Sequence, residues 1–301
     1  MSKNIQNLFR FALVFIVIVI GNYVIVAQSD IVNGDWKAEY VTKQADKIHL
    51  LFSRKIEKGH YQTGSNYDLK DLQGLSVNQI NASDERVKFT LVREAGNIEC
   101  EGKFTNGKGA GTYRFTPNQS FIDEMKSRGF DFEKPRNSDD NDIENRLFAA
   151  ATLNITTALA DDLLSANFGK LDVDDLFKAA IFKIDSKFMS EMKASGFPNL
   201  TMEDLVKARI FKIDAEYVRG LSAVGFNDEP FESLVKARIF KITPDFVTEI
   251  RSEGFTNLSI EDYVKMKIFK IDGEFIREAR ADGVPMEVEK LVQKRIGVWR
   301  K

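Results

Sequence analysis

Few side chains in this chain of 301 residues could act as nucleophiles or soft metal ligands. There is one cysteine, Cys100, and there are two histidines, His49 and His60. A nucleophilic thiol needs an activating base, and neither histidine lies in a recognisable local motif. The two histidines flank a predicted turn, but a pair without a clear carboxylate partner makes a poor metal site. The sequence therefore predicts no catalytic residue, metal or cofactor, and Cys100 is interpreted as an inert buried thiol.

The side chains with the most regular spacing are basic, and they recur every 29 residues in three columns. The first column is Lys183, Lys212, Lys241 and Lys270; the second is Lys178, Lys207, Lys236 and Lys265; the third is Arg209, Arg238 and Lys267. Acidic residues lie at the opposite helix ends, which is typical of solvated faces that complement the helix dipole. The alternative is a basic stripe that binds an anionic partner. Its candidate partner-binding residues are Lys183, Lys212, Lys241, Lys270, Arg209 and Arg238.

Composition limits the classes of partner and of fold. The formal net charge is −2, so no global positive field favours nucleic acid. A single cysteine excludes an internal disulfide, so the fold depends on packing. The chain is 43% hydrophobic, which is enough to bury a core, and its length is typical of about two domains.

The basic columns belong to a repeated motif, Ile-Phe-Lys-Ile, that occurs four times at a spacing of 29 residues. Its copies begin at Ile181, Ile210, Ile239 and Ile268. A fixed period of this size indicates stacked supersecondary units. Each unit reads as two helices of roughly ten residues, too short to be stable alone, so stacking must bury their apolar columns together. We predict an α-helical repeat array over residues 152–301.

Two regions precede this array. Residues 31–116 show short runs of alternating apolar and polar residues, and Asn106-Gly107 is a strong hairpin signal. They predict a small antiparallel β domain, a sandwich or a barrel, with Trp36 in its core. Residues 117–151 contain a half-repeat, Phe121–Phe130, and an acidic linker. The whole chain is thus expected to be α+β.

The N-terminal residues 1–27 combine Lys3 and Arg10 with an apolar run and a small residue, Ala27. This pattern predicts a secretory signal peptide, with an uncleaved membrane anchor as the alternative. Either interpretation predicts that the rest of the chain is exported.

The segment Leu-Val-Lys-Ala-Arg-Ile-Phe-Lys-Ile at 205–213, with its spaced Gly-Phe pairs, resembles a bacterial helical repeat. That repeat follows the membrane metallopeptidase domain of beta-lactam-sensor-like proteins and also occurs in stand-alone exported proteins. Residues 87–115 are similar to the strand-rich region before such repeats. The chain has no His-Glu-x-x-His pair, so the resemblance does not imply peptidase activity.

Together with the resemblance, these features predict a non-enzymatic, exported interaction or sensor-accessory protein that binds a protein partner in the periplasm or cell envelope of a bacterium. Nucleic acid is not expected, and a membrane is expected only through an uncleaved N-terminal segment. Two alternatives stay open, both in the β domain. A hydrolase would need converging carboxylates or histidines, and a small-ligand carrier would need an apolar cavity.

Overall fold

The computed structural model describes residues 32–40, 46–56, 59–134 and 143–300. The predicted signal or anchor lies outside these residues, as does most of the acidic linker. The chain divides into two compact units, Met1–Leu91 with Ile98–Thr116, and Val92–Asn97 with Pro117–Lys301. A seven-stranded antiparallel sheet precedes a series of helices, which confirms the predicted α+β class.

The strands form one sheet in the order β3-β2-β1-β7-β6-β5-β4. They are β1 Val32–Tyr40, β2 Lys47–Ile56, β3 Gly59–Asp68, β4 Leu72–Gln73, β5 Glu85–Arg93, β6 Gly96–Thr105 and β7 Lys108–Pro117. A short helix, α1, spans Val77–Asn81 between β4 and β5. Alternate residues are buried, as in Trp36 and Ala38 of β1, so one face of the sheet holds the core.

The sheet curls strongly, as one aromatic contact shows. The ring centroids of Trp36 on β1 and Phe89 on β5 are 5.2 Å apart. In a flat sheet, β7 and β6 would separate these strands by about 14 Å. The indole can cross β7 because Gly109 has no side chain; a Cβ there would lie 2.8 Å from its Cζ3 atom. Among the described strands we therefore find a single barrel-like sheet, with β3 and β4 at its edges, and not a two-sheet sandwich.

Twelve helices follow the sheet in the described part of the chain. They are α2 Gln119–Ser127, α3 Ile143–Thr152, α4 Thr157–Ser165, α5 Val173–Phe182, α6 Ser186–Ala194, α7 Met202–Phe211, α8 Ala215–Ala223, α9 Phe231–Ile239, α10 Pro244–Ser252, α11 Ile260–Ile268, α12 Gly273–Ala281 and α13 Val288–Arg295. They form six pairs, each with a first helix (even number) and a second helix (odd number). Second helices α5, α7, α9, α11 and α13 pack one on the next, and first helices pack likewise, as α4 does on α2 and α6.

Local signals set the limits of each pair. Asp214 begins α8, because its side chain accepts a hydrogen bond from the Tyr217 N–H at 2.9 Å. Gly225 ends that helix with a φ of 90°, and the Phe226 N–H returns to the Leu221 carbonyl. The repeated aspartate and glycine therefore act as start and stop signals.

Residues 117–151 are predicted from the sequence to be a half-repeat and a linker, but the structure has a second helix there as well. Helix α3 buries Leu147, Phe148, Ala150 and Ala151. The acidic insertion before it displaces the spacing, so the period of 29 is lost although the helix pair is complete. Among the described residues, no single helix is long and apolar enough to cross a membrane. Helices α3 and α4, which meet at a bend of 82°, reach the length and apolar composition of a membrane span only when they are taken together.

Candidate interaction surface

The two isoleucines of each Ile-Phe-Lys-Ile motif have opposite environments. The second isoleucine is in the core, as Ile213 (0% exposed) and Ile242 (1%) illustrate. The first is half exposed in all four copies: Ile181 52%, Ile210 54%, Ile239 51% and Ile268 54%. A single exposed isoleucine is unremarkable on a protein surface, but the same exposure on four successive second helices makes an apolar column.

The lysine of each motif adopts the left-handed backbone conformation. Lys183, Lys212, Lys241 and Lys270 have φ values of 57°, 55°, 55° and 51°. Each follows a second helix and turns the chain so that the next isoleucine enters the core. Their side chains are exposed, and none forms a salt bridge with any carboxylate in the described parts of the chain.

Left-handed backbone suits glycine or asparagine better than lysine, since a Cβ costs roughly 1–2 kcal/mol there. Asn154 occupies the corresponding place 29 residues before Lys183, with a φ of 54°. The recurrence of lysine at four such turns therefore points to a use for its side chain. We call the four isoleucines and these four lysines the Ile–Lys edge.

The second basic column is engaged within the array. Lys178 bonds Glu203 of the next second helix at 2.7 Å, and Lys207 bonds Glu232 at 2.5 Å. The same ladder continues through Lys236–Glu261 and Lys265–Glu289. The partner carboxylate raises the pKa of each of Lys178, Lys207 and Lys265. These lysines tie neighbouring units together, whereas the sequence pattern predicts only solvated faces.

The third basic column is also engaged. The guanidinium of Arg209 lies 3.7 Å from the ring centroid of Phe188, and that of Arg238 lies 3.9 Å from that of Tyr217. Arg238 also donates two hydrogen bonds to the carbonyl of Lys212, from Nε at 3.0 Å and Nη2 at 2.6 Å. Although the sequence names Arg209 and Arg238 as candidates for partner binding, we assign them to contacts between units.

The charge along the Ile–Lys edge is mixed. Asp214 follows Lys212 by two residues, and Asp185 and Asp272 hold the equivalent places. Their carboxylates accept helix N–H groups, as between Asp185 and the Phe188 N–H at 2.8 Å. Such an edge suits a partner with apolar groups and a few acidic groups better than it suits a polyanion.

The histidines and the cysteine do not come together. His49 contacts Asn66 at 2.9 Å, whereas His60 lies opposite Lys55 in the β2–β3 register. Positions 49 and 55 lie six residues apart along β2, about 20 Å, and this distance also separates the two histidines. Cys100 is buried, and burial raises the pKa of its thiol. No group of three or more histidine, cysteine, aspartate or glutamate side chains in the described ranges could hold a metal ion.

Sequence reasoning missed the exposed isoleucines. Ile210 follows buried Val206 by four residues, so helical periodicity places both on one face. The left-handed turn at Lys212 ends the helix there, and Ile213 fills the core position instead. The signal that could have revealed this exposure is that each motif carries two isoleucines, although only one of them fills a core position at the helix end.

Comparison with known proteins gave no match, since no protein-family model fits the chain and no curated protein or solved structure resembles it significantly.

Proposed function

We propose that this protein is a non-enzymatic interaction module whose helical array binds a protein partner along the Ile–Lys edge. The observation that carries the proposal is the contrast between columns. The side chains of the second and third basic columns contact neighbouring units, whereas the first column is exposed and has no acidic partner in the described chain. It runs beside half-exposed isoleucines in four successive units.

Apolar side chains with flanking single charges are typical of protein interfaces. Apolar groups supply the affinity once water is removed, while charges at the rim orient the partner. A repeat array offers such pairs at regular intervals along an extended surface. Four isoleucines at equivalent positions could together contact one elongated partner, which no isolated isoleucine could do.

We place this interaction outside the cytoplasm, in a bacterial cell envelope, as an accessory to a sensor or another envelope protein. The support comes from the sequence, namely the signal-like residues 1–27 and the resemblance of residues 205–213 to repeats of exported proteins. The β domain does not favour the alternatives. Its described concave face is packed with Trp36, Phe89 and Phe104, and its histidines lie far apart.

The test is an affinity capture from envelope extracts of the host, with four baits compared side by side. They are the exported chain, K212E/K241E/K270E, I210Q/I239Q, and the control K187E/K193E, which changes two exposed lysines of α6 outside the edge. We expect one partner to be captured by the exported chain and the control and to be lost with both edge variants. Capture by all four baits, or by none, would contradict the proposal; circular dichroism verifies that each bait is folded.

A further inference from the structure

A surface cavity of about 330 Å³ lies at one end of the Ile–Lys edge. Its lining residues are Leu153, Asn154, Leu159, Ala179, Ala180, Lys183, Ile184 and Asp185. Most of this lining is apolar, and Lys183 and Asp185 contribute one positive and one negative charge. All of these residues belong to the second compact unit.

The repeat explains why the cavity exists here. Ala180 lies 29 residues before Arg209, and Leu159 lies 29 residues before Phe188. In the later units this pair of positions holds a cation stacked on an aromatic ring: Arg209 on Phe188, Arg238 on Tyr217 and Lys267 on Phe246. In the unit before these, the same two positions hold Ala180 and Leu159, which are small or aliphatic. The space that a long cationic side chain fills in the later units is therefore left as a cavity.

The acceptor for that side chain is still present. Arg238 donates to the carbonyl of Lys212, 26 residues before it. The residue 26 before Ala180 is Asn154, which has the same left-handed backbone, with φ values of 54° and 55° for Asn154 and Lys212. Asn154 thus shares the left-handed φ of the residue whose carbonyl accepts Arg238, but alanine at position 180 is too short to donate to the Asn154 carbonyl.

We propose that this cavity binds an arginine side chain of a protein partner. The aliphatic stem packs on Leu159 and Ile184, and the guanidinium donates two hydrogen bonds to the Asn154 carbonyl. Arginine fits better than lysine because its planar fork can give two N–H groups to one oxygen, as Arg238 does. The inference rests on the proposed function for the identity of the partner, since Lys183 belongs to both the cavity and the Ile–Lys edge.

The site can be tested without the partner. The probe is the peptide acetyl-Gly-Arg-Gly-amide, titrated into the ¹⁵N-labelled full chain while amide shifts are followed by NMR. We expect saturable shifts at Asn154, Ala180 and Lys183 with a Kd in the millimolar range. The matched peptide with citrulline, which has the same shape without the charge, should bind at least fivefold more weakly. Absence of shifts with the arginine peptide would overturn the inference.

Two variants locate the site. A180R should occupy the cavity from within the chain and abolish the shifts, as arginine at positions 209 and 238 does in the later units. R209A should open an equivalent cavity at the next interface and add shifts at Lys212. If A180R does not fold, A180K, with the residue type of position 267, serves instead. Shifts that persist in the filled variant would contradict the proposal.

The two proposals can fail separately. If the arginine peptide does not bind but partner capture still depends on K212E/K241E/K270E, the cavity inference is wrong and the proposed function stands. If the peptide binds and the capture does not depend on the edge, the proposed function is wrong and the cavity inference stands.

Discussion

At the scale of single residues, the backbone and the side chain of Lys212 have separate roles. Its backbone ends a helix in the left-handed conformation, and its carbonyl accepts the guanidinium of Arg238. Its ammonium group has no carboxylate partner in the described chain. The structural role needs only the backbone, so it is separable from the side chain by substitution.

Replacing Lys212 with glycine should stabilise the fold. Glycine adopts a φ of 55° without a Cβ penalty, and we expect the free energy of unfolding to rise by about 1 kcal/mol. Urea denaturation followed by circular dichroism measures this. The matched control, Lys207→Gly in the middle of the helix that Lys212 ends, should have the opposite sign because it removes helix propensity and the ion pair with Glu232. A destabilised K212G would show that the lysine side chain supports the fold.

Replacing Arg238 with alanine should destabilise the array by about 1–2 kcal/mol, because it removes a cation–π contact and two charged hydrogen bonds. Lys241→Ala, three residues later, should change the stability by less than about 0.5 kcal/mol. Thermal denaturation of the two variants compares them directly. Equal losses would mean that the lysine column also holds units together, contrary to our assignment.

At the scale of elements, the helices of this array are eight to ten residues long, so each depends on its caps and its neighbours. In the described chain, three second helices, α5, α7 and α11, have an N-cap side chain that accepts a helix N–H, and each carries a complete capping box. In α7, Thr201 accepts from the Asp204 N–H, while Asp204 bonds the Thr201 N–H at 3.0 Å. In contrast, α9 begins after Pro230 and has no side-chain cap.

The capping box of α7 predicts a loss of about 1 kcal/mol in unfolding free energy for Thr201→Ala, since the Asp204 N–H loses its acceptor and the Asp204 carboxylate loses the Thr201 hydroxyl. Thr201→Ser keeps the hydroxyl and should behave like the unmodified chain. Urea denaturation of both variants tests this. If alanine and serine were equivalent at this position, the box would contribute nothing to the array.

At the scale of the whole molecule, the second unit is built from contacts between adjacent helix pairs. The Lys–Glu ladder joins residues 24 or 25 positions apart, and the arginine–aromatic stacks join residues 21 positions apart. Stability in such an array is a sum of terms for individual units and terms for the interfaces between neighbours.

This organisation predicts a gradient of amide hydrogen exchange in the 301-residue chain. The pair α12–α13 packs on one adjacent pair, whereas α8–α9 packs on two, so we expect slower exchange in α8 and α9 than in α13. Exchange measured by mass spectrometry on peptides from each helix would show it. Uniform protection from α4 to α13 would indicate that the array unfolds as one cooperative body instead.

The sequence by itself determined the division into a strand-rich and a helical region. Alternation in residues such as Trp36 and Ala38, and the aspartate and glycine signals at helix ends, depend on neighbouring positions only, and the 29-residue period repeats those signals. Backbone geometry converts these short-range patterns directly into strands, helices and turns. The α+β class followed for that reason, before any contact between distant residues was known.

Only the tertiary structure decided which repeated side chains are exposed and which contact a neighbouring unit. The three basic columns have the same period and the same charge, so sequence could not rank them. Their difference arises from contacts about 25 residues away, where Glu232 reaches Lys207 and Lys212 presents its carbonyl to Arg238. Likewise, the exposure of Ile210 depends on the left-handed turn at Lys212, because burial is set by where the chain goes after the helix and not by the helix itself.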